Sequence, residues 1–433
     1  MAKMNCFIAT YSDNIHQLGI SCDEKNTVPP KAVIWRFVRL FRDIDDVRCQ
    51  AMIDYPLVEI ILIAFLAVLA NASTWVEMES FGKSKQKWLQ KFIRLKNGIP
   101  SHDTFRRVFS LIDTEQLQKA TVTFLVENIT AIKKSLPKEP DEYRLICVDG
   151  KEQRGTGRRY TCDDKIRNLQ TLHIFDASNE ICLYSKAISE KTNEIPVAQD
   201  ALTQMQLKGC VVTFDALHTR KDTVAIIKSK KGDYVGGLKG NQAGLLEEAA
   251  DYFNETELLE YYKDKGDYYE TREKAHKKIE VRQFYLVRPT KRKIIKEWSG
   301  LKAFICCIKK MIDVHSGKET TEIRYYAASV DDIRLCAEAI RGHWCVENKL
   351  HWHLDYTMRE DENTTMDKNA FNNLSLLNKL ALSLCKLTKP LVKAPSMRVL
   401  RKQFGWDIEG HLCVLLSCFD ENVIAEAMLS VKK

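Results

Sequence analysis

Asp149 and Asp215 stand in the same kind of context. Each closes a short apolar run, Leu145-Ile146-Cys147-Val148 before the first and Val211-Val212-Thr213-Phe214 before the second. Such runs read as buried strands. If the two strands are neighbours, both carboxylates leave the same sheet edge, at the carboxyl ends of strands where open α/β sheets place their sites. Two carboxylates that close repel each other. A divalent cation relieves the repulsion, and Mg²⁺ takes one or two carboxylates together with water and phosphate. A strand-end Asp alone is also a common cap or turn residue. A third acid, Glu347, lies in Arg341-Gly342-His343-Trp344-Cys345-Val346-Glu347-Asn348-Lys349-Leu350-His351-Trp352. On a helix His343, Glu347 and His351 share one face, with Trp344 and Trp352 on an adjacent stripe against the core. Two other chemistries fit this string: a His/Glu zinc or di-iron site in a helical bundle, and a structural His-Glu-His hydrogen-bond cluster.

The elements that must position these acids can be read coarsely. Residues 1–32 read as an irregular extension ending at Pro29-Pro30. From 33 to 137 the pattern is helical, with Leu57, Ile60, Ile61, Ala64 and Val68 at helical spacing. Gly98-Ile99-Pro100 makes a turn, Ser101 is a candidate N-cap, and Arg106 and Arg107 follow on a short helix. A turn feeding a basic helix suits DNA docking; a surface helix with two solvated arginines is the plain alternative. Lys138 to Glu142 reads as a linker. Beyond it the spacing predicts a strand ending at Asp149, strands over 171–175 and 181–188, a helix over 195–207, a strand ending at Asp215, a helix over 219–228 and a strand over 234–238. That order suits a mixed sheet with helices on its faces. Residues 259–330 read as a charged, β-rich insertion, 331–356 and 369–387 as helices, and 388–433 as a basic C-terminal segment.

Bulk properties narrow the function classes. With 433 residues, 45% hydrophobic and 29% charged, the chain can bury a sizeable core across two or three domains. A net charge of +8 suits a polyanion partner better than an acidic chain would. The 14 cysteines form no Cys-x-x-Cys pair, which argues against a zinc ribbon or a stapled secreted domain and for reduced, mostly buried thiols. No signal peptide is evident after Lys3. The run Ile60 to Ala70 is about half the roughly 20 residues a membrane helix needs, so it reads as a buried core helix and no membrane partner is expected.

Polar groups near the acids could support work on DNA. Lys151 and Arg154 follow Asp149 and could reach phosphates; an exposed pair after a strand is the alternative. Gly155-Thr156-Gly157-Arg158-Arg159 is a basic loop without the Gly-Lys-Ser/Thr of a phosphate-binding loop. His218 and Arg220 flank the second Asp. Lys239, Asn241 and Gln242 open a helix, where an anion fits well. Arg341 could bind phosphate, and His343 could orient Glu347 or touch DNA. Lys386, Lys389, Lys393, Arg398, Arg401 and Lys402 could grip DNA weakly.

Several of these strings resemble one known family. Val148-Asp149-Gly150-Lys151, Thr213-Phe214-Asp215-Ala216-Leu217-His218-Thr219 and the His343-to-Trp352 string are similar to blocks of the H-repeat-associated, ISAs-type family of DDE transposases. So are Gly98-Ile99-Pro100-Ser101-His102-Asp103-Thr104-Phe105 and Lys239-Gly240-Asn241-Gln242, and the blocks keep their order from about Tyr55 to Leu387. The sequence departs from the family at Glu360-Asp361-Glu362-Asn363, where a basic residue usually follows the Glu-Asp pair, and at His276-Lys277-Lys278 in place of His-Gly-Arg. The resemblance implies an α/β fold: an RNase H-like mixed sheet flanked by helices, over 143–258 and 331–387, with a β-rich insertion and a preceding all-α domain. It implies an insertion-sequence transposase that cleaves and joins DNA with the triad Asp149, Asp215 and Glu347. Two Mg²⁺ ions, with Mn²⁺ able to substitute, would bridge the scissile phosphate about 4 Å apart. The expected partners are double-stranded DNA, as element ends and target, and further copies of the chain on DNA; the expected location is the cytoplasm. A domesticated descendant that binds DNA without cutting, and an RNase H-like nuclease that cuts without joining, are the alternatives.

Overall fold

The computed structural model describes residues 30–135, 143–159, 165–166, 168–188, 194–275, 278–391 and 394–411. Most of the extension expected at 1–32, the linker at 138–142, His276, Lys277, Lys393 and the end of the C-terminal segment lie outside them.

Every element from Pro30 to Ser135 is helical: α1 (Pro30–Phe41), α2 (Leu57–Leu69), α3 (Trp75–Leu89), α4 (His102–Leu111) and α5 (Thr114–Ser135), with a single 3₁₀ turn between the first two. Helix α2 is apolar on all sides and is buried almost throughout, as such a helix must be. Its one acid, Glu59, accepts the Arg94 backbone N–H at 3.1 Å. No described helix is long and apolar enough to cross a membrane. Thr74 and Glu77 form a reciprocal capping box on α3, and Ser101 caps α4 through the Thr104 N–H.

Nine strands make one sheet in the order β5-β4-β1-β6-β7-β11-β10-β9-β8. Its members are β1 (Arg144–Gln153), β4 (Leu169–Asp176), β5 (Ile181–Ile188), β6 (Cys210–Phe214), β7 (Asp233–Leu238), β8 (Tyr268–Ala275), β9 (Lys278–Val287), β10 (Ala303–Asp313) and β11 (Glu319–Ala328); β2 (Arg158–Arg159) and β3 (Lys165–Ile166) pair separately. Strands β1, β6 and β7 run parallel, while β4 on one side and β11 on the other join them antiparallel, and β5 pairs antiparallel with β4 at the edge. The charged stretch expected as an insertion therefore continues the same sheet, because β11 pairs directly with β7.

Side chains alternate across a strand, and the two faces have separate cores. Ile146 and Val148 pack with α6 (Glu194–Gln204), α7 (Lys221–Ser229) and α8 (Ala243–Asp251). Leu145 and Cys147 face α11 (Ile333–His343) and α12 (Lys368–Leu391), whose buried residues share a core with the N-terminal helices. Helix α12 locks that layer by hydrogen bonds. Asn369 and Asn373 donate to the carbonyls of Phe109, Ser110 and Ile112 at the end of α4, at 2.8–3.0 Å.

Gly236 on β7 marks a close approach. A Cβ there would lie 2.5 Å from Phe214 Cε2 and 2.7 Å from Thr219 Oγ1. Gly236→Ala should therefore wedge β7 from β6 beside Asp215 and lower unfolding free energy by about 1–3 kcal/mol. Chemical denaturation reads this directly, and unchanged stability would contradict the packing.

Candidate active site

Parity along two parallel strands brings the aspartates together. Val148 on β1 pairs with Phe214 on β6, so Asp149 and Asp215 occupy the next matching positions. By alternation both follow Leu145 and Cys147, and Val211 and Thr213, onto the face covered by α11. Strand β1 does not end at Asp149 as the sequence suggested. It runs on to Gln153 because antiparallel β4 keeps pairing with it, with Asp149 opposite His173. Strand β6 does end at Phe214. Asp215 Oδ1 accepts the Leu217 N–H at 2.9 Å, and Asp149 Oδ1 accepts the Gly150 N–H at 3.0 Å.

Helix α11 delivers the third acid. Asp332 caps it through the Leu335 N–H at 2.8 Å, as its place before the helix suggests. Past His343 the chain widens into π-helical turns at Val346–His351 and His353–Thr357, a geometry that recurs at functional sites. There Glu347 is exposed and His351 buried. His351 Nδ1 lies 3.0 Å from Glu347 Oε2 and 3.8 Å from Asp149 Oδ2. Ligand atoms of Asp149, Glu347 and His351 all fall within 4.8 Å of one another.

The electrostatics fit a site that wants a cation. Burial, with the nearby charges of Asp215 and Glu347, pushes the Asp149 carboxyl up to about 6, against the pull of His351 and the Gly150 N–H. The hydrogen bond from His351 holds Glu347 below the usual carboxylate range. Burial pushes His343 down to about 4, and its Nδ1 meets Thr213 Oγ1 at 3.1 Å. The His343-Glu347-His351 set expected as a zinc or di-iron alternative is thus divided: His343 turns to β6, while His351 joins the acids. Carboxylate oxygens plus one imidazole suit a divalent cation.

A groove of about 770 Å³ opens from the acids and is lined by Asp149, Asp215, Glu347, Lys239, Arg324 and Trp344 among others. Of the expected DNA contacts, Lys239 is exposed in this groove, Arg154 is exposed, and Arg106 and Arg107 are exposed on α4. Others are committed elsewhere. Lys151 is 6% exposed, with its Nζ 2.5 Å from Asp355 and 3.3 Å from Gln153, so the surface phosphate contact expected of it is not what the fold gives. Two residues past Asp149 on the strand, it points under the π-helical segment. Asn241 and Gln242 donate to the Ala216 and Thr219 carbonyls, shaping the loop after Asp215. Arg341 pairs with Glu273 on β8.

Further along, Trp344 and Trp352 are 47% and 49% exposed rather than against the core, because the π-helical turns displace the stripe that regular helical spacing assumes. Glu360 is buried and accepts from Ser375 and Asn378 on α12, so the Glu-Asp pair sits in a structural network, while Glu362, where the family usually has a basic residue, pairs with Arg359 at the surface. Of the basic tail, Arg401 and Lys386 are buried and bonded to backbone carbonyls, which removes them from any DNA grip.

Sequence reasoning missed Glu194. It heads α6, meets His218 Nε2 at 3.0 Å, and lies over Gly150, where an added Cβ would come 2.5 Å from its Oε1. His218 is buried in this pair, which ties the loop after Asp215 to the head of α6, lying over the strand that carries Asp149. No local signal marks Glu194, since its partners are distant in the chain. Gly150→Ala should displace Glu194 and cut DNA cleavage by up to roughly 10²-fold, as misplacement near a reacting centre does. A cleavage assay beside a melting curve checks this; parent-like activity would show that Glu194 braces nothing.

Asp149 within β1, Asp215 just past β6 and Glu347 from the π-helical segment converge beside a groove lined by Lys239 and Arg324, an arrangement that suits a divalent cation and a phosphate. Residues 140–384 match the family described as the transposase DDE domain, and residues 38–125 match one described as DDE_Tnp_1-associated. This chain belongs to the DDE transposase family: it is an insertion-sequence transposase, an enzyme of a class that works on DNA with divalent metal ions. YncI of Escherichia coli O157:H7, provisionally named a transposase, is 32% identical over 392 residues, covering 88% of this chain and 92% of that protein. The similarly named H repeat-associated YhhI of Escherichia coli K12 is 30% identical over 368 residues, 83% of this chain and 92% of that one. A piggyBac transposase synaptic complex with hairpin DNA aligns at 12% identity and a TM-score of 0.31, over 89% of this chain and 86% of that one.

Proposed function

We propose that Asp149, Asp215 and Glu347 are the catalytic acids, and that they hold two Mg²⁺ ions for cleavage and strand transfer on double-stranded DNA. The observation that carries this reading is the approach of Glu347, from a distant helical segment, to the carboxylate of Asp149, with Asp215 lining the same groove. Bound Mg²⁺, or Mn²⁺ in its place, would neutralise the scissile phosphate and activate water or a DNA 3′-hydroxyl. The chain's own groups orient and neutralise. Lys239 meets the phosphate backbone in the groove, Glu194 and His218 hold the two aspartate-bearing segments in register, and Arg154, Arg106 and Arg107 contact flanking DNA.

An RNase H-like core over 143–258 and 331–387 is supported by the strand order β5-β4-β1-β6-β7, antiparallel in its first three strands and parallel in the rest. The helical region 33–137 takes a DNA-binding role and 259–330 extends the sheet. On DNA the enzyme works as a homo-oligomer that gathers the element ends. Incubating the full chain with labelled terminal repeats, a target duplex and Mg²⁺ tests all of this: cleaved and joined products are expected. Cleavage without joining would mean a nuclease, and retention of uncut DNA a domesticated binder.

A further inference from the structure

We propose that His351 is itself a metal ligand, so that one cation position is a mixed nitrogen–oxygen site that prefers Mn²⁺ to Mg²⁺. This deepens the metal reading of the site above and rests on it. Three observations converge. First, His351 Nδ1 points between two acids, 3.0 Å from Glu347 Oε2 and 3.8 Å from Asp149 Oδ2. Second, the ring is buried, so its orientation is set by packing rather than by solvent. Third, its other nitrogen is backed by a second histidine: His351 Nε2 lies 3.0 Å from His173 Nδ1, and His173 sits directly across from Asp149 on β4.

The two imidazoles share one proton across that contact, and its position decides what Nδ1 of His351 can do. If His173 Nδ1–H donates, His351 carries its own proton on Nδ1 and can only hydrogen-bond to Glu347. If His351 Nε2–H donates instead, its Nδ1 presents a bare lone pair between two carboxylates. A bound cation makes that second arrangement favourable. His173 is fully buried, and its Nε2 finds no partner among the described residues. It can therefore carry its proton on either nitrogen without breaking another bond. A ligating histidine whose second N–H is donated to a built-in acceptor is the usual arrangement around protein metals. Imidazole nitrogen favours transition metals, whereas Mg²⁺ keeps to oxygen. Mn²⁺ accepts both, so it gains from His351 where Mg²⁺ does not.

Pulsed EPR on the full-length protein loaded with Mn²⁺ reads the bond directly. Unlabelled protein should show a coordinated ¹⁴N, and growth on ¹⁵N-histidine should convert that signal to ¹⁵N, with no substitution that could disturb folding. In parallel, His351→Gln should weaken Mn²⁺ binding roughly 10- to 100-fold, the scale seen when a metal site loses a supporting group, and leave Mg²⁺ binding nearly unchanged. Bound Mn²⁺ with no nitrogen coupling, and equal affinity in His351→Gln, would overturn the proposal and leave His351 as a hydrogen-bond partner of Glu347 with the acidic site intact. Failure of the parent protein to bind Mn²⁺ at all would overturn the metal reading as well.

Discussion

Asp149→Asn leaves the chain folded and lowers DNA cleavage by roughly 10³-fold or more. The magnitude follows from the role. Charge stabilisation by a bound divalent ion contributes several kcal/mol to a transition state, and each 1.36 kcal/mol is about tenfold in rate. Asp149 lies within reach of both His351 and Glu347, and its partner strand places it beside Asp215, so the amide removes a charge from the centre of the site. Folding should not suffer. Burial and the two neighbouring acids disfavour the ionised form of Asp149, which raises its carboxyl to about 6. A raised carboxyl binds protons more tightly folded than unfolded, so metal-free protein should lose stability as pH rises from about 4 through about 6. Asp149→Asn should flatten that profile, and divalent metal should raise the melting temperature of the parent more than that of the variant. A variant that cleaves within tenfold of the parent contradicts the assignment.

Arg401→Ala costs about 3–5 kcal/mol of stability through lost hydrogen bonds and the cavity left behind. Arg401 is 1% exposed on α13 (Met397–Trp406). Its guanidinium gives four hydrogen bonds: two to the Val68 carbonyl, one to Ala72 and one to Thr357. Val68 lies in the last turn of α2, where carbonyls lack the regular intrahelical partner, and Ala72 just beyond its end. Thr357 ends the π-helical run that carries Glu347. One side chain thus ties the N-terminal helices, the Glu347 segment and the C-terminal helix together. Burial pulls its pKa down to about 10, yet the group stays charged at neutral pH. Lysine does not substitute, since a point charge cannot reproduce the guanidinium fork. Chemical denaturation should show both variants destabilised, with cleavage falling alongside. Stability within about 1 kcal/mol of the parent would mean that the carbonyls find other donors.

What could be read from the residues divides along a physical line. The runs before Asp149 and Asp215 were legible as strands because burial on both faces demands uninterrupted apolar sequence. The capping residue Ser101 was legible because caps are local. Lys151 was misread although the signal was present: alternation alone places it on the face of Asp149, toward protein. The exposure of Trp344 and Trp352 was hidden because the helical pattern assumes a regular turn, and the π-helical widening has no simple sequence mark. The pairing of β11 with β7, the Glu194–His218 brace and the His173–His351 contact join segments far apart in the chain, so no window of sequence contains them. Arg401 read as a weak DNA contact for the same reason, its carbonyl partners Val68 and Ala72 lying more than three hundred residues upstream.

The central claim is that three acids, distant in the chain, surround shared cations. Iron-directed cleavage tests it without DNA. Fe²⁺ in place of Mg²⁺, with ascorbate and peroxide, cuts the backbone only next to the bound metal. The account predicts cuts clustered around residues 149, 215 and 347, competed away by excess Mg²⁺ and absent in Asp149→Asn. Cuts near 149 and 215 with none near 347, or cuts scattered elsewhere, would contradict it.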